Sequence, residues 1–308
     1  MYYPYFRGKQ NELILLKELS EKMSGTGNVL PIIEPVKENL NGLKRCLAAF
    51  KNSGLKCILI TNPNVGEFDK DNALIKDFIL NEAGASESIV YGIILDQHSV
   101  FSDISAELAS LNSFALIHLS HVEEPKLYAD LSKDKENEKI YQIFFDEPSR
   151  RIKKYFEFGQ QIIVKDGFSK QEKNSKYPAE SFFSDWFEFY QPDFKGYGDF
   201  SIVGNNWTSS GGPAWAVAIH LTYPKNEEEI WTRHYVSDTQ DSPSNPGGKF
   251  KEALQKLIDD IDNLKIASKT EAIKEFIELH RRQHFPGLGV VKKLSMQHHL
   301  ELNMILNK

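Results

Sequence analysis

The chain has 308 residues, a formal net charge of −6 and only two cysteines, with 41% hydrophobic and 26% charged residues. That length accommodates one barrel with extensions as readily as two domains. The acidic balance does not favour nucleic acid, two cysteines are too few for a disulfide scaffold, and no apolar run is long enough to span a bilayer.

Residues 2–6 are predicted to form a first strand, and residues 10–23 a helix with Leu13, Leu16 and Leu19 at helical spacing. Seven short apolar runs follow: VLPIIEPV, KCILITNPN, VYGIILDQH, ALIHLSH, IYQIFFDEP, QIIVKDGF and DFSIVGN. Each is too short for a buried helix, is rich in Ile and Val and is bounded by turn residues, so each reads as a strand buried on both faces. Pro31 and Pro35 make the first of these runs the least regular. Helix-like stretches at 43–50, 73–81, 104–111 and 127–133 separate the runs, and right-handed crossovers wind such a series consistently. The expected fold is α/β, a TIM-like (β/α)8 barrel with an additional β-hairpin and C-terminal helices. Closure would bring the strand-end residues Glu34, Asn62, Asp96, His118, Asp146, Lys165 and Asp166 onto one rim, where barrel enzymes place their sites.

Residues 166–181 are polar and read as a rim loop. The aromatic cluster FFSDWFEFYQPDF (182–194) is expected to pack a helix on the barrel wall, and residues 199–204 to supply the eighth strand. PAWAVAIHLTYP and EIWTRHYVSD, joined by KNEEE, read as a hairpin, with Trp215, Val217, Ile219 and Leu221 in its core. After a Pro/Gly/Ser/Asn loop, Phe250, Leu254, Leu257, Ile258 and Ile261 mark an amphipathic helix, and two more helices are expected at 270–282 and 288–306. The corresponding division is a barrel over 1–210, with a hairpin and helical extension over 211–308 packed on it. Cys46 and Cys57 fit buried apolar positions in a reducing compartment, with a disulfide as the alternative. The opening MYYPYFRGKQNEL lacks the apolar core of a signal peptide, so a cytoplasmic location is expected and the Asn206-Trp207-Thr208 sequon reads as accidental.

The strand-end acids suggest two uses. Asp96, Asp146 and Glu34, with His118, end different strands and would offer oxygen ligands to a hard divalent cation such as magnesium or manganese. Alternatively these carboxylates cap helices or pair with Arg7, Lys9 and Lys37. No HExxH, DxDxDG or paired CxxC spacing sharpens the metal reading. Lys165 is a candidate nucleophile if desolvated in a barrel mouth, or a partner for Asp166, Asp146 or Asp199. His118 and His121 flank Ser120, but no GxSxG elbow surrounds it, and serine chemistry there is not expected. RGKQ (7–10), at a strand end before a helix, forms an anion cradle or pairs with Glu34. Phosphate-loop fingerprints are absent. HRRQH (280–284), with Lys292 and Lys293, is a basic patch or a helix end whose cations complement the dipole. Leu288, Val291, Leu294, His298, Leu302 and Ile305 line one side of the last helix, a docking face for the barrel or another subunit.

MYYPYFRGKQNEL, PIIEPV, GDFSIVG and AIHLTY together resemble the "beta protein" family of phages and bacteria, in particular a bacterial branch that begins YYPYxRGKQxE. The resemblance spans the barrel portion and the hairpin. It implies a barrel of unassigned biochemistry, a role in phage–bacterium conflict, and a nuclease-like protein partner encoded nearby; it carries over no catalytic residues. Arg7, Lys9 and Glu34 occupy the recognisable motif positions. Two readings follow. One is a ligand- or partner-binding barrel in a phage-defence or toxin-antitoxin-like system, with a small anionic ligand or a protein engaged through Arg7, Lys9, Lys37, Asn62, Asp166 and Asp199. The other is a metal-dependent hydrolase of phosphate esters, with Asp96 and Asp146 as ligands and Glu34, His118 and Lys165 in catalysis.

Overall fold

The alternation of apolar runs and amphipathic stretches produces a wound parallel sheet. The computed structural model describes residues 1–68, 72–79, 87–133, 135–136, 139–209 and 211–307. In chain order the strands are β1 (Tyr5–Phe6), β2 (Ile32–Ile33), β3 (Cys57–Ile60), β4 (Ile89–Leu95), β5 (Phe114–His118), β6 (Ile140–Phe145), β7 (Gln160–Lys165), β8 (Glu180–Ser184) and β9 (Gly196–Asp199). All but β8 belong to one eight-stranded parallel sheet of order β1-β2-β3-β4-β5-β6-β7-β9. Single parallel bridges from Tyr2 to Val29 and from Tyr2 to Tyr197 join its two ends, giving a nearly closed, TIM-like barrel. The intervening helices are α1 (Gln10–Glu18), α2 (Ser20–Thr26), α3 (Asn41–Ser53), α4 (Ala73–Phe78), α5 (Phe101–Ser110), α6 (Pro125–Ser132) and α7 (Arg150–Tyr155). The helix expected at 73–81 is described to Phe78, and residues 80 and 81 lie outside the described residues. Pro31 and Pro35 flank the two residues of β2, which explains its brevity: each removes a ladder donor.

The eighth strand is not where the apolar pattern puts it. Residues 199–204 were the expected strand, but Ser201 takes a left-handed φ of 52° and Ser201–Val203 is a 3₁₀ turn. The strand is GYGD, Gly196–Asp199, paired in parallel with β7. Its glycines are required by the seam. A Cβ on Gly198 would lie 2.0 Å from the Tyr3 carbonyl oxygen, and one on Gly196 would lie 2.4 Å from the Tyr3 ring. Across the seam Tyr3 N–H donates to the Tyr197 carbonyl (2.8 Å) and Tyr197 N–H to that of Met1 (3.2 Å).

Strand alternation sorts the side chains into two layers. Tyr3 and Tyr5 meet Tyr141 and Phe145 edge to face, at 6.5 and 5.3 Å between ring centres, although β1 and β6 are not ladder neighbours; these side chains therefore fill the barrel interior. The register carries that parity around the sheet through Tyr5↔Ile32, Ile32↔Ile58, Ile60↔Gly92, Ile94↔Ile117, Ile117↔Ile143, Ile143↔Ile162 and Ile162↔Gly196. Alternate residues, including His118, Phe144, Lys165, Tyr197 and Asp199, lie on the outer face.

The chain divides into two compact units, Met1–Lys165 with Tyr190–Asp199, and Asp166–Phe189 with Phe200–Lys308. In the second, the expected hairpin forms from β10 (Ala218–Pro224) and β11 (Ile230–Val236), with Thr222 opposite Thr232. The aromatic cluster is a correction to the expected wall helix. Its first residues, with Glu180 and Ser181 from the expected rim loop, form β8, the third strand of an antiparallel sheet ordered β10-β11-β8; only Trp186–Phe189 (α8) is helical. Aromatic residues suit a strand at least as well as a helix, and β11 supplies a ladder partner. Ile219, Leu221 and Tyr223 pack with residues from α9 (Pro246–Asp259), α10 (Glu271–Arg282) and α11 (Leu288–Leu306), among them Leu254, Leu257, Phe276 and Leu302. Trp215, expected in this core, precedes β10 and is 51% exposed. The Arg281 and Arg282 guanidinium groups both pair with Glu278 at the end of α10, the helix-end alternative for HRRQH. Cys46 and Cys57 are buried free thiols, and burial pushes that of Cys46 up to about 12. Among the described residues no helix is long and apolar enough to cross a membrane.

Gly198→Ala should therefore cost several kcal/mol, about 3 or more, because its new Cβ meets backbone rather than a flexible side chain. Gly25→Ala, in α2 with nothing within 4 Å, should be neutral or stabilise by about 0.5–1 kcal/mol. Urea unfolding midpoints of the two variants check the contrast.

Candidate functional site

Three consecutive features of the sequence build the barrel mouth. The Tyr5↔Ile32 register puts Arg7 beside Glu34, two residues beyond each strand position and facing inward. Gly8, at a left-handed φ of 56°, turns the chain towards α1 and passes so close to β2 that a Cβ would lie 3.1 Å from the Glu34 carbonyl oxygen. Glu12, buried in the first turn of α1, reaches back to accept the backbone N–H of Arg7 (2.7 Å) and Lys9 (3.4 Å). This is the carboxylate half of a capping box, and it fixes RGKQ in place.

Glu34 is 1% exposed. Its Oε2 accepts from Tyr5 Oη (2.8 Å) and Arg7 Nε (3.2 Å), and its Oε1 from the backbone N–H of Asn64 (3.2 Å). Burial raises its pKa, while Arg7, the Tyr5 hydroxyl and the Asn64 amide pull it back down. The expected pairing of Arg7 with Glu34 is present. Tyr5, Asn64 and Glu12 complete the arrangement and were not singled out from the sequence; the alternation of Tyr5, Arg7 and Glu34 on neighbouring strands was the available signal for Tyr5.

The remaining strand-end residues are dispersed. Asn62 faces inward and is held on β4, donating from Nδ2 to the Ile94 carbonyl (3.0 Å) and accepting the Ile94 N–H at Oδ1 (2.8 Å). Asp96 closes its own turn, with Oδ1 accepting from His98 N–H (2.9 Å) and Ser99 Oγ (3.1 Å). Asp146 is exposed and takes the left-handed conformation (φ 64°) that ends β6. Lys37 pairs with Glu67 (2.6 Å), and Lys165 with Glu147 (3.7 Å). Asp166 belongs to the second unit, where it accepts the N–H groups of Phe168 (3.1 Å) and Asn205 (2.7 Å). Among the described residues no three His, Cys, Asp or Glu side chains gather as a metal site.

Parity corrects the rim set. His118, Lys165 and Asp199 were expected at the mouth, but they stand on the outer face of the sheet. Asp199 is buried there and accepts the Tyr2 hydroxyl (2.9 Å). His118 is buried between Phe144, stacked at 4.7 Å, and Phe156, at 4.4 Å. Its Nε2 lies 2.8 Å from Gln142 Oε1, an acceptor, so Nε2 carries the proton. Nδ1 has no partner among the described residues, and burial lowers the imidazole pKa to about 4. A neutral, enclosed ring of this kind holds the sheet–helix layer together and is not positioned to meet a ligand in the mouth.

A scan of the chain against models of known protein families gives no match, and a search of curated proteins gives none either.

Two outcomes follow from these environments. Arg7→Ala strands a buried carboxylate and should cost about 3 kcal/mol at pH 8, whereas Glu34→Gln, which keeps a hydrogen-bonding oxygen, should cost less. With its folded pKa raised, Glu34 is protonated more easily in the fold than in the unfolded chain. The Arg7→Ala penalty therefore shrinks at pH 5 and grows as pH rises through the folded pKa, which urea unfolding at both values measures. His118 behaves oppositely. Its folded pKa of about 4 lies below the ordinary 6.5, so the unfolded chain binds the proton first and stability falls as pH drops from about 6.5 to about 4. On the order of 3 kcal/mol is at stake, and His118→Phe should flatten that part of the stability–pH curve.

Proposed function

We propose that the barrel is a binding module whose mouth, formed by Arg7, Lys9 and Glu34, engages a small anionic ligand or the acidic surface of a protein partner. The observation that carries this reading is that the mouth's acids are already compensated. Glu34 is matched by Arg7 and Glu67 by Lys37, while the Asp96 carboxylate is taken up by its own turn. Acids so occupied leave little uncompensated negative charge to draw in a divalent cation, and a cationic guanidinium at the end of β1 suits a carboxylate or phosphate. The resemblance of the opening motif supports a cytoplasmic role in a phage-defence or toxin-antitoxin-like system, beside a nuclease-like partner. Two free, buried thiols are compatible with a reducing compartment. The metal-dependent phosphate-ester hydrolase reading has no comparable observation behind it: Glu34 and Asp96 have separate partners, Asp146 is exposed, and among the described residues no three such side chains gather.

Calorimetric titration with magnesium, manganese and zinc should give no saturable heat. Saturable binding that vanishes in an Asp96→Ala/Asp146→Ala double variant would overturn the binding reading in favour of the hydrolase. In parallel, inorganic phosphate at millimolar concentration should raise the melting midpoint of the wild type and leave that of Arg7→Ala unmoved, since a ligand stabilises only the fold that binds it.

A further inference from the structure

The antiparallel sheet of the second unit brings together three side chains that no part of the barrel reading uses. His220 on β10 and His234 on β11 are direct cross-strand partners. Ser181 lies across the next ladder, on β8, which is an edge strand. The three form a row on one face of the sheet: Ser181 Oγ is 2.9 Å from His234 Nε2, and His234 Nδ1 is 2.7 Å from His220 Nδ1. A bond between two imidazole nitrogens needs one protonated and one bare nitrogen, so the row has a direction. When Ser181 donates to His234 Nε2, His234 must carry its proton on Nδ1 and present it to a bare Nδ1 of His220. That tautomer is the one a general base requires, with the third group orienting the ring from behind.

The surroundings favour the neutral forms. Tyr177 stacks on His234 at 4.7 Å and lies against His220 at 4.5 Å, and Phe168 meets the two rings edge-on at 6.2 and 5.1 Å. Burial lowers the His234 pKa to about 4; burial, His234 and Lys292 together push that of His220 well below its ordinary value. His234, in the middle, is 6% exposed, while Ser181 and His220 at the ends are half-buried.

We propose that Ser181, His234 and His220 form a serine acyl-transfer site that hydrolyses a small ester with an apolar acyl group. Ser181 Oγ attacks the ester carbonyl carbon as its proton passes to His234 Nε2. The bond from that carbon to the leaving alkoxide breaks, and His234 returns the proton to the alkoxide as the alcohol departs. Water, deprotonated by His234, then attacks the acyl-serine, releasing the carboxylic acid and restoring the Ser181 hydroxyl. His234 and Ser181 are the catalytic residues; His220 is a positioning residue that accepts from His234 Nδ1 and stabilises the transient imidazolium. Tyr177, half-buried and stacked on His234, offers the aromatic surface that the apolar acyl group would lie on.

The test treats the full chain with a fluorophosphonate, which forms a phosphorus–oxygen bond to an activated serine with loss of fluoride, and maps the adduct by mass spectrometry. The expected result is a single adduct on Ser181, absent in Ser181→Ala and slowed about 100-fold or more in His234→Gln, the usual scale for loss of a general base. His220→Asn, whose amide oxygen can accept from His234 Nδ1, should retain most of the rate, whereas His220→Leu should lose it; a merely structural His220 would give no such split. Far-ultraviolet dichroism and melting midpoints confirm that each variant is folded. A folded wild type with no adduct on Ser181, or one labelled as fast as folded His234→Gln, overturns the proposal, and neither result bears on phosphate binding at the barrel mouth.

Discussion

A parallel sheet buried on both faces has no tolerable edge, and in this protein the edges meet at Tyr2. Its backbone bridges Val29 on one side and Tyr197 on the other, and Gly196 and Gly198 leave the room that Tyr3 needs to enter the interior beside the last strand. Everything at the mouth is downstream of that seam. Once Tyr3 is seated against Tyr141, the alternation of β1 directs Tyr5 at Phe145 and Arg7 at Glu34. The buried ion pair is thus a product of closure. Its desolvation cost is met by a hydroxyl and an amide that the same register delivers to the same carboxylate.

The apolar runs revealed the barrel because a strand buried on both sides must be apolar along its whole length, and stretches such as Cys57–Ile60 and Ile89–Leu95 are too short for buried helices. The eighth strand escaped that logic. Half of GYGD is glycine, required by close approach, and glycine leaves no hydropathic trace. The third strand of the small sheet was hidden for the converse reason: the aromatic residues of FFSDWFEF satisfy either period, and only the presence of β11 alongside decides between them.

The candidate site was legible to the level of position and not of direction. A polar residue at the end of an apolar run marks a strand end, but whether it looks into the barrel or out to the helices depends on parity counted from a closure that the sequence does not display. Arg7 and Glu34 fall on the inner count; His118, Lys165 and Asp199 fall on the outer one. The hairpin carries more than its apolar alternation. With a turn centred near residue 227, His220 and His234 are equidistant from it, so their pairing across the ladder follows from counting alone.

The path of the chain between β7 and β9 has a consequence for synthesis and dissection. After Lys165 the polypeptide leaves to contribute β8 and α8 to the second unit, and returns at Tyr190 to supply the last barrel strand. A ribosome that has released seven barrel strands has therefore still exposed two raw sheet edges, and they persist until residue 199 emerges. No single cut separates the two units as continuous pieces. A fragment ending at Lys165 would carry unpaired backbone on β1 and β7, the type of surface that recruits further copies of itself. The excursion binds the fates of the two units through the covalent chain, whatever either of them does alone.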